Sequence, residues 1–296
     1  MWDTNCESDA QSLKTGVRMT TFIQQAYHGP TVYNEWQKVI LMSTPDPLHL
    51  CTTILPTPVT STCGLYLRPM PVSSYVGSEL ELFSTAHQWK AYWSGRIKPH
   101  VTGAVLDVGA GLGASLVVLA NEQVSSWHLL EPDPNLTAGF QPDNHFRVEV
   151  QNGTLGNVNQ RFDSILYIDV LEHIEADKEE LALAADHLNP GGKLIVLAPA
   201  HNYLFGPFDA AIGHFRRYDT SSLAKISPSG LRQIQLEYLD SVGMIASTAN
   251  KFLLKQEQPT PAQIHFWDNY IVPVSRLIDP ILLRKLGKSV IVIWQK

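Results

Sequence analysis

Apolar positions along this chain follow two spacings. Leu82, Ala86, Trp89 and Trp93 recur at helical spacing, Ser78-Glu79-Leu80-Glu81 just ahead has the spacing of a capping box, and Pro99 closes the segment. Short apolar runs then alternate with helical ones. VTGAVLDV, SWHLLE, HFRVEV, FDSILYID and GGKLIVLAP read as five strands. ASLVVLANE and DKEELALAADHL read as helices between them, the second with Asp177 placed to cap it and Glu180 at N3. Strands separated by helices predict an α/β class, with a parallel sheet and right-handed crossovers. Ligands in such sheets bind beyond the carboxyl ends of the strands.

Residues 1–77 follow neither spacing. Seven prolines and a Thr/Ser-rich stretch, TTILPTPVTSTC, fall there with few charges, apart from a short helix signal in TVYNEWQKVILM. The composition predicts a poorly ordered extension or a stretch translated ahead of a later start such as Met70; the other reading is a lid or partner-binding arm. Residues 78–296 then form the folded domain.

Composition narrows the function classes. The balance of 22 basic against 28 acidic side chains, a net charge of −6, leaves no electrostatic footprint for nucleic acid. No apolar run approaches the ~18 residues of a spanning helix, and MWDTNCESDA lacks a secretory pattern. A cytoplasmic protein is expected. Cys6, Cys51 and Cys63 give no C-x-x-C pair, and the eleven histidines give no H-x-x-x-H, so no metal site is expected from local sequence.

The chemistry starts at VLDVGAGLGA, Val105 to Ala114. Read as G-x-G-x-x-[GA], with Gly109, Gly111 and Ala114, it suits a dinucleotide. Read as D-x-G-x-G-x-G, it suits a cofactor with a cationic amino group, because Asp107 at the turn would repel a pyrophosphate but attract an ammonium. Glu131, ending the second strand, accepts ribose hydroxyls in either case.

With LLEPDP, NGTLGNV, FDSILYIDVLEHI and LNPGGKLIVLAP following in order and spacing, residues 100–220 resemble a class I S-adenosylmethionine-dependent methyltransferase. The resemblance implies a doubly wound, mostly parallel, Rossmann-like sheet of seven strands whose last strand is antiparallel. LRQIQLEYLDSV would be the sixth strand and GKSVIVIWQK the last. It further implies S-adenosylmethionine as cofactor, with Asp107, Gly109, Ala110, Gly111 and Gly113 around its methionine part and Glu131 on the ribose. Pro132 or Asp133 would flank the adenine. Thr154 and Leu155 occupy the adenine-edge loop, where many members carry an acid. Asp169, Val170 and Leu171 would lie under the sulfonium, and His173 would pack against the cofactor or cap a helix.

Methyl transfer to a hydroxyl needs alignment, exclusion of water and a proton acceptor, and it requires no metal. The segment PAHNYLFGPFDAAIGHFRRYD gathers the candidates: His214 first and His201 second as base, with Tyr203, Asp209, Arg216, Arg217 and Tyr218 around the acceptor. The two arginines could equally pair with Asp209 and Asp219 to hold the loop shut. A similar H-x-R-R-Y element occurs in bacterial methyltransferases of small-molecule, lipid and cell-surface glycan pathways. The expected acceptor is a small molecule or saccharide; a quinone-like or lipid-linked acceptor is the alternative, and a non-catalytic cofactor-binding module is the rival from another class. Acceptor-side insertions are expected at about 200–220 and 251–287. Within the second, NYIVPVSRLIDPILLRKLGK, with Arg276, Arg284, Lys285 and Lys288 interleaved, reads as a helical cap or, through about 270–288, as a peripheral membrane contact.

Overall fold

The computed structural model describes residues 82–140, 147–254 and 258–296. The chain divides into two units, Met1–Leu67 and Arg68–Lys296, and all described residues lie in the second. The Ser78–Glu81 capping box, the helix signal at 31–42 and the three cysteines lie outside the described residues.

Helix α1, His87–Ile97, buries Trp89, Tyr92, Trp93 and Ile97, the helical spacing read from the sequence. From there the chain runs β1 (Gly103–Val108), α2 (Ala114–Leu119), β2 (Val124–Glu131), α3 (Pro134–Thr137), β3 (Arg147–Asn152) and β4 (Phe162–Ile168). It continues through α4 (Asp177–Asp186), β5 (Leu188–Pro199), α5 (Pro207–Ala211), α6 (Thr220–Ile226), β6 (Arg232–Leu239) and α7 (Ser241–Ala249). Helices α8 (Pro261–Phe266) and α9 (Val272–Ile281) and strand β7 (Ser289–Gln295) close the domain.

The sheet has seven strands in the order β3-β2-β1-β4-β5-β7-β6. Strand β7 slots between β5 and β6, antiparallel to both, and every other pairing is parallel. This is the doubly wound α/β architecture expected. Its central strands are buried on both faces, so they read as continuous apolar runs rather than alternating ones. The period of two still sorts them: Val105, Leu129, Leu166, Ile195 and Ile291 pack with α1 on one face. Their neighbours Leu106, Leu130, Ile165, Leu194 and Val290 pack with Leu181 and Leu223 of α4 and α6 on the other.

Helix α4 starts one residue earlier than its capping signal implies. Ala176 stands at the N-cap with no side-chain hydrogen bond, and Asp177 is the first helical residue. Its carboxylate accepts instead from the Tyr218 hydroxyl at 2.8 Å and pairs with Arg216 at 2.6 Å. Glu180 likewise turns away from the cap to accept from Tyr167. A tertiary partner outcompetes the local cap.

Residues 261–281 are helical, α8 and α9 joined by a wide turn at Trp267–Ile271, and buried aspartates stitch them down. Asp268 accepts from the free N–H groups of Gln88 and Trp89, capping α1 from outside. Asp279, fully buried in α9, accepts from the Tyr92 hydroxyl, the N–H groups of Asp240 and Ser241, and the Ser241 hydroxyl, at 2.5–3.1 Å. No helix among the described residues is long and apolar enough to cross a membrane.

Replacing Asp279 by alanine strands four donors at once. Asp279→Ala should therefore cost about 3 kcal/mol or more, read as a lower urea midpoint with an unchanged m-value.

Candidate active site

Every strand but β7 ends at one edge, and β7 starts there, with Ser289 opposite Pro199. The glycine turn after β1 shapes one part of that edge. Gly109, Gly111 and Gly113 all take left-handed backbone angles, φ between 54° and 76°. Gly109 and Ala110 donate to the Leu130 carbonyl at 2.8 and 3.1 Å. A Cβ at Gly109 would stand 2.7 Å from both methyl carbons of Val170, so only glycine lets the turn close over β4. Helix α2 is six residues long, so the loop's own amides rather than a macrodipole dominate the local field.

Glu131 ties this turn to the next one. Its buried carboxylate accepts from Gly111 N–H at 2.8 Å and from Asp133 N–H at 3.0 Å. Two of its roughly four lone-pair sites remain for a ligand hydroxyl. Asp107, 1% exposed, accepts at 3.4 Å from the Trp127 indole. Burial pushes its carboxyl up to about 7, partly opposed by that hydrogen bond and reinforced by the Glu131 charge.

The other expected cofactor residues divide by exposure. Pro132 is exposed, whereas Asp133 is buried and occupied in capping α3 through Asn135. Thr154 is exposed, and Leu155 belongs to the core. Leu171 is also core, and its carbonyl accepts from Tyr218. Asp169, at φ 54°, is exposed to solvent just past the end of β4. The surrounding protein raises its carboxyl, against the pull of His214 and Lys288.

The loop after β5 supplies the facing wall. Asp209, 2% exposed, accepts from Gly206 N–H, from His214 Nδ1 at 3.0 Å, and bidentately from Arg217 at 2.9 and 3.0 Å. Burial alone would raise Asp209, but the His214 and Arg217 contacts outweigh it and hold the carboxyl below its usual range. Arg216 pairs with Asp177 rather than Asp219, which instead caps α6 through Ser222 N–H. The arginines and Tyr218 thus pin the loop to the domain.

The edge-to-face pair His173–His214 stands with ring centroids 4.5 Å apart. Burial, then the neighbouring His214, push His173 down to about 4. His201, at φ 63°, stacks on Tyr238 at 4.9 Å and leans on Tyr203 at 5.5 Å; its Nε2 has no hydrogen-bond partner among the described residues. Tyr203 is 48% exposed at the rim.

Three residues of this edge escaped the sequence reading as site residues. Glu172, 1% exposed, sits under the His173–His214 pair, its carboxyl driven well above the ordinary range by burial and by Asp169. Lys288 stands at the start of β7, 3.6 Å from Asp240 and 3.8 Å from the Trp267 ring centroid; burial lowers its pKa. Asp240, fully buried, also accepts from Trp267 and Ser275. The adjacent acid in LEHIE was the one local signal for Glu172; nothing local marks the other two.

A family model described as a methyltransferase domain matches residues 82–233, just over half of the chain. Among solved structures, one chain in the complex between the Haloferax volcanii Trm112 methyltransferase activator and a methyltransferase is similar at a TM-score of 0.51 and 13% identity, covering 73% of this chain and 93% of that one. An S-adenosylmethionine-dependent methyltransferase from Archaeoglobus fulgidus gives 0.50 at 15% identity, covering 74% and 97%. At these identities the likeness is one of fold. No protein of curated function matches the sequence.

The raised Asp107 carboxyl makes a stability prediction. A folded-state pKa above the unfolded one favours the folded state at low pH, and that contribution is lost as pH rises from about 4 to 7. Asp107→Asn removes the loss. Relative to wild type, the ligand-free variant should gain on the order of 2–4 kcal/mol between pH 4 and pH 8 in urea titrations, any pH-independent cost cancelling in the comparison.

Proposed function

This chain belongs to the methyltransferase-domain family, and we propose that it carries a methyl group from S-adenosylmethionine to a hydroxyl oxygen of a small molecule or saccharide. S-adenosylmethionine is the donor, and when bound it supplies a methyl carbon already activated by a sulfonium. The residues at the edge fit it. Gly109 lets the backbone close without a side chain, Asp107 is an anionic partner for an ammonium, and Glu131 keeps lone pairs for ribose hydroxyls. Asp107 is also the feature that a pyrophosphate would tolerate least, which disfavours a dinucleotide.

One observation carries the acceptor reading. The loops after β4 and β5 bring Asp169, His173, His214 and His201 to the same edge as the glycine turn. Forming the oxygen–carbon bond releases the hydroxyl proton, so the acceptor's wall must stabilise or accept charge. His214, oriented by Asp209, and His201, with its unpartnered Nε2, are the residues we assign to activating that hydroxyl. Asp209, Arg217, Arg216 and Tyr218 act by holding the loop in place, and Tyr203 borders the opening.

A second reading, a lipid-linked acceptor, is favoured by a specific surface. Phe266, Tyr270, Leu277, Ile281, Leu283 and Leu286 are all exposed along α8, α9 and the following turn. The exposed bases Arg276 and Lys285 flank them, as on helices that lie on anionic lipid. Leu277→Asp with Ile281→Asp should abolish co-sedimentation with anionic vesicles; a wild-type chain that never sediments removes this reading.

Labelled methyl transfer into cell extract tests the main reading. His214→Ala should lower turnover about 10²–10⁴-fold while leaving adenosylhomocysteine affinity within a few-fold. Full turnover in both His214→Ala and His201→Ala would overturn the assignment.

A further inference from the structure

We propose that Glu172, His173 and His214 bind a divalent first-row transition-metal ion, and that this ion holds the acceptor's hydroxyl oxygen. The second half rests on the methyl-transfer reading; the ion site itself does not.

Glu172 is the starting point. It is 1% exposed, yet no other described residue donates a hydrogen bond to either carboxylate oxygen. A buried carboxyl group without a partner is costly in either protonation state, and a cation is one compensation that satisfies both oxygens. His214 Nε2 faces Oε1 at 3.8 Å, too long for a hydrogen bond. One ligand atom each from Glu172, His173 and His214 lies within 4.8 Å of the other two. Ligands on one tetrahedral ion, at bond lengths of about 2.0–2.1 Å, stand about 3.4 Å apart. Side-chain adjustments of about an ångström would close the set.

The second ring nitrogen of His214 is already committed. His214 Nδ1 contacts Asp209 Oδ1 at 3.0 Å, and Arg217 fixes that carboxylate with two hydrogen bonds. The His173 Nδ1 faces Gly213. A metal-bound imidazole hands its second N–H to a carboxylate or carbonyl in this way, which fixes the tautomer and aims the other nitrogen. His214 lies 41 residues beyond His173, which is why no local spacing announces the set.

Two imidazoles and one carboxylate suit zinc, manganese, cobalt or iron in the divalent state. Three protein ligands leave a position open for an exogenous oxygen. A hydroxyl held there loses its proton to water more readily, and the oxygen becomes the better nucleophile. His214 would then activate the acceptor as a ligand.

The test is calorimetry of the chelator-treated full chain with Zn²⁺ and with Mn²⁺, together with the visible spectrum after Co²⁺ loading, in the absence of donor and acceptor. Wild type should bind about one equivalent. Glu172→Gln and His173→Ala should each weaken binding by about 100-fold or more, and Asp209→Asn by about 10–100-fold. Each variant's far-UV circular dichroism and urea midpoint serve as the check on folding; His173, only half-buried, is the variant to rely on if Glu172→Gln fails it. No saturable binding of either ion by wild type, or binding that none of the folded variants weakens, overturns the site. Methyl transfer that persists without ion binding defeats this inference and leaves the functional reading standing. Ion binding without methyl transfer to any acceptor defeats the functional reading instead.

Discussion

Carboxylates crowd one edge of the sheet, and the buried ones other than Glu172 are each met by a compensating group among the described residues. Asp107, Glu131, Asp169, Glu172, Asp209 and Asp240 come from the ends of β1, β2, β4, β5 and β6. An unpaired buried charge costs more than most single contacts return. The partners recruited to them are therefore the parts that shape the cleft. Gly111 and Asp133 are drawn onto Glu131, Trp127 onto Asp107, and Arg217 with His214 onto Asp209. Trp267, Ser275 and Lys288 converge on Asp240.

The same pairing turns the loop after β5 into a wall. Asp177, Arg216 and Tyr218 fasten its far end to α4, and Asp209 with Arg217 fastens its middle. The main chain joins in: His201 donates to the Tyr218 carbonyl and Phe215 to the Glu172 carbonyl. Asp169, His201 and Asp240, just past the ends of β4, β5 and β6, all hold left-handed backbone angles. Such conformations persist only where surrounding contacts over-determine them, and they concentrate where side chains must be aimed. A groove walled this way orients its occupants through fixed groups.

Much of this was legible in the sequence. Repeated strand and helix signals gave the order of elements, and the glycine turn, Glu131 and the acid-rich end of β4 fell where expected. The antiparallel last strand came from family resemblance; its seat between β5 and β6 depends on pairings no local pattern records. What misled was local chemistry overtaken by distant partners. Asp177 has the composition of a cap, yet Tyr218 and Arg216 claim it. Leu155 and Leu171 stand in motif positions while their side chains fill the core. Asp240 and Lys288 carry no local signature, because their importance arises from residues tens of positions away, and Glu172 is marked only by its place in LEHIE.

The seat of β7 has a consequence for biogenesis. Strand β5 pairs along its whole inner length with residues roughly a hundred positions downstream. Until those residues leave the ribosome, the apolar edge of β5 has no mate, and β6 has nothing to lie against. Synthesis therefore passes through a stage in which a sticky half-sheet is exposed, and the domain completes itself late and all at once. Removing β7 would leave both β5 and β6 without that partner.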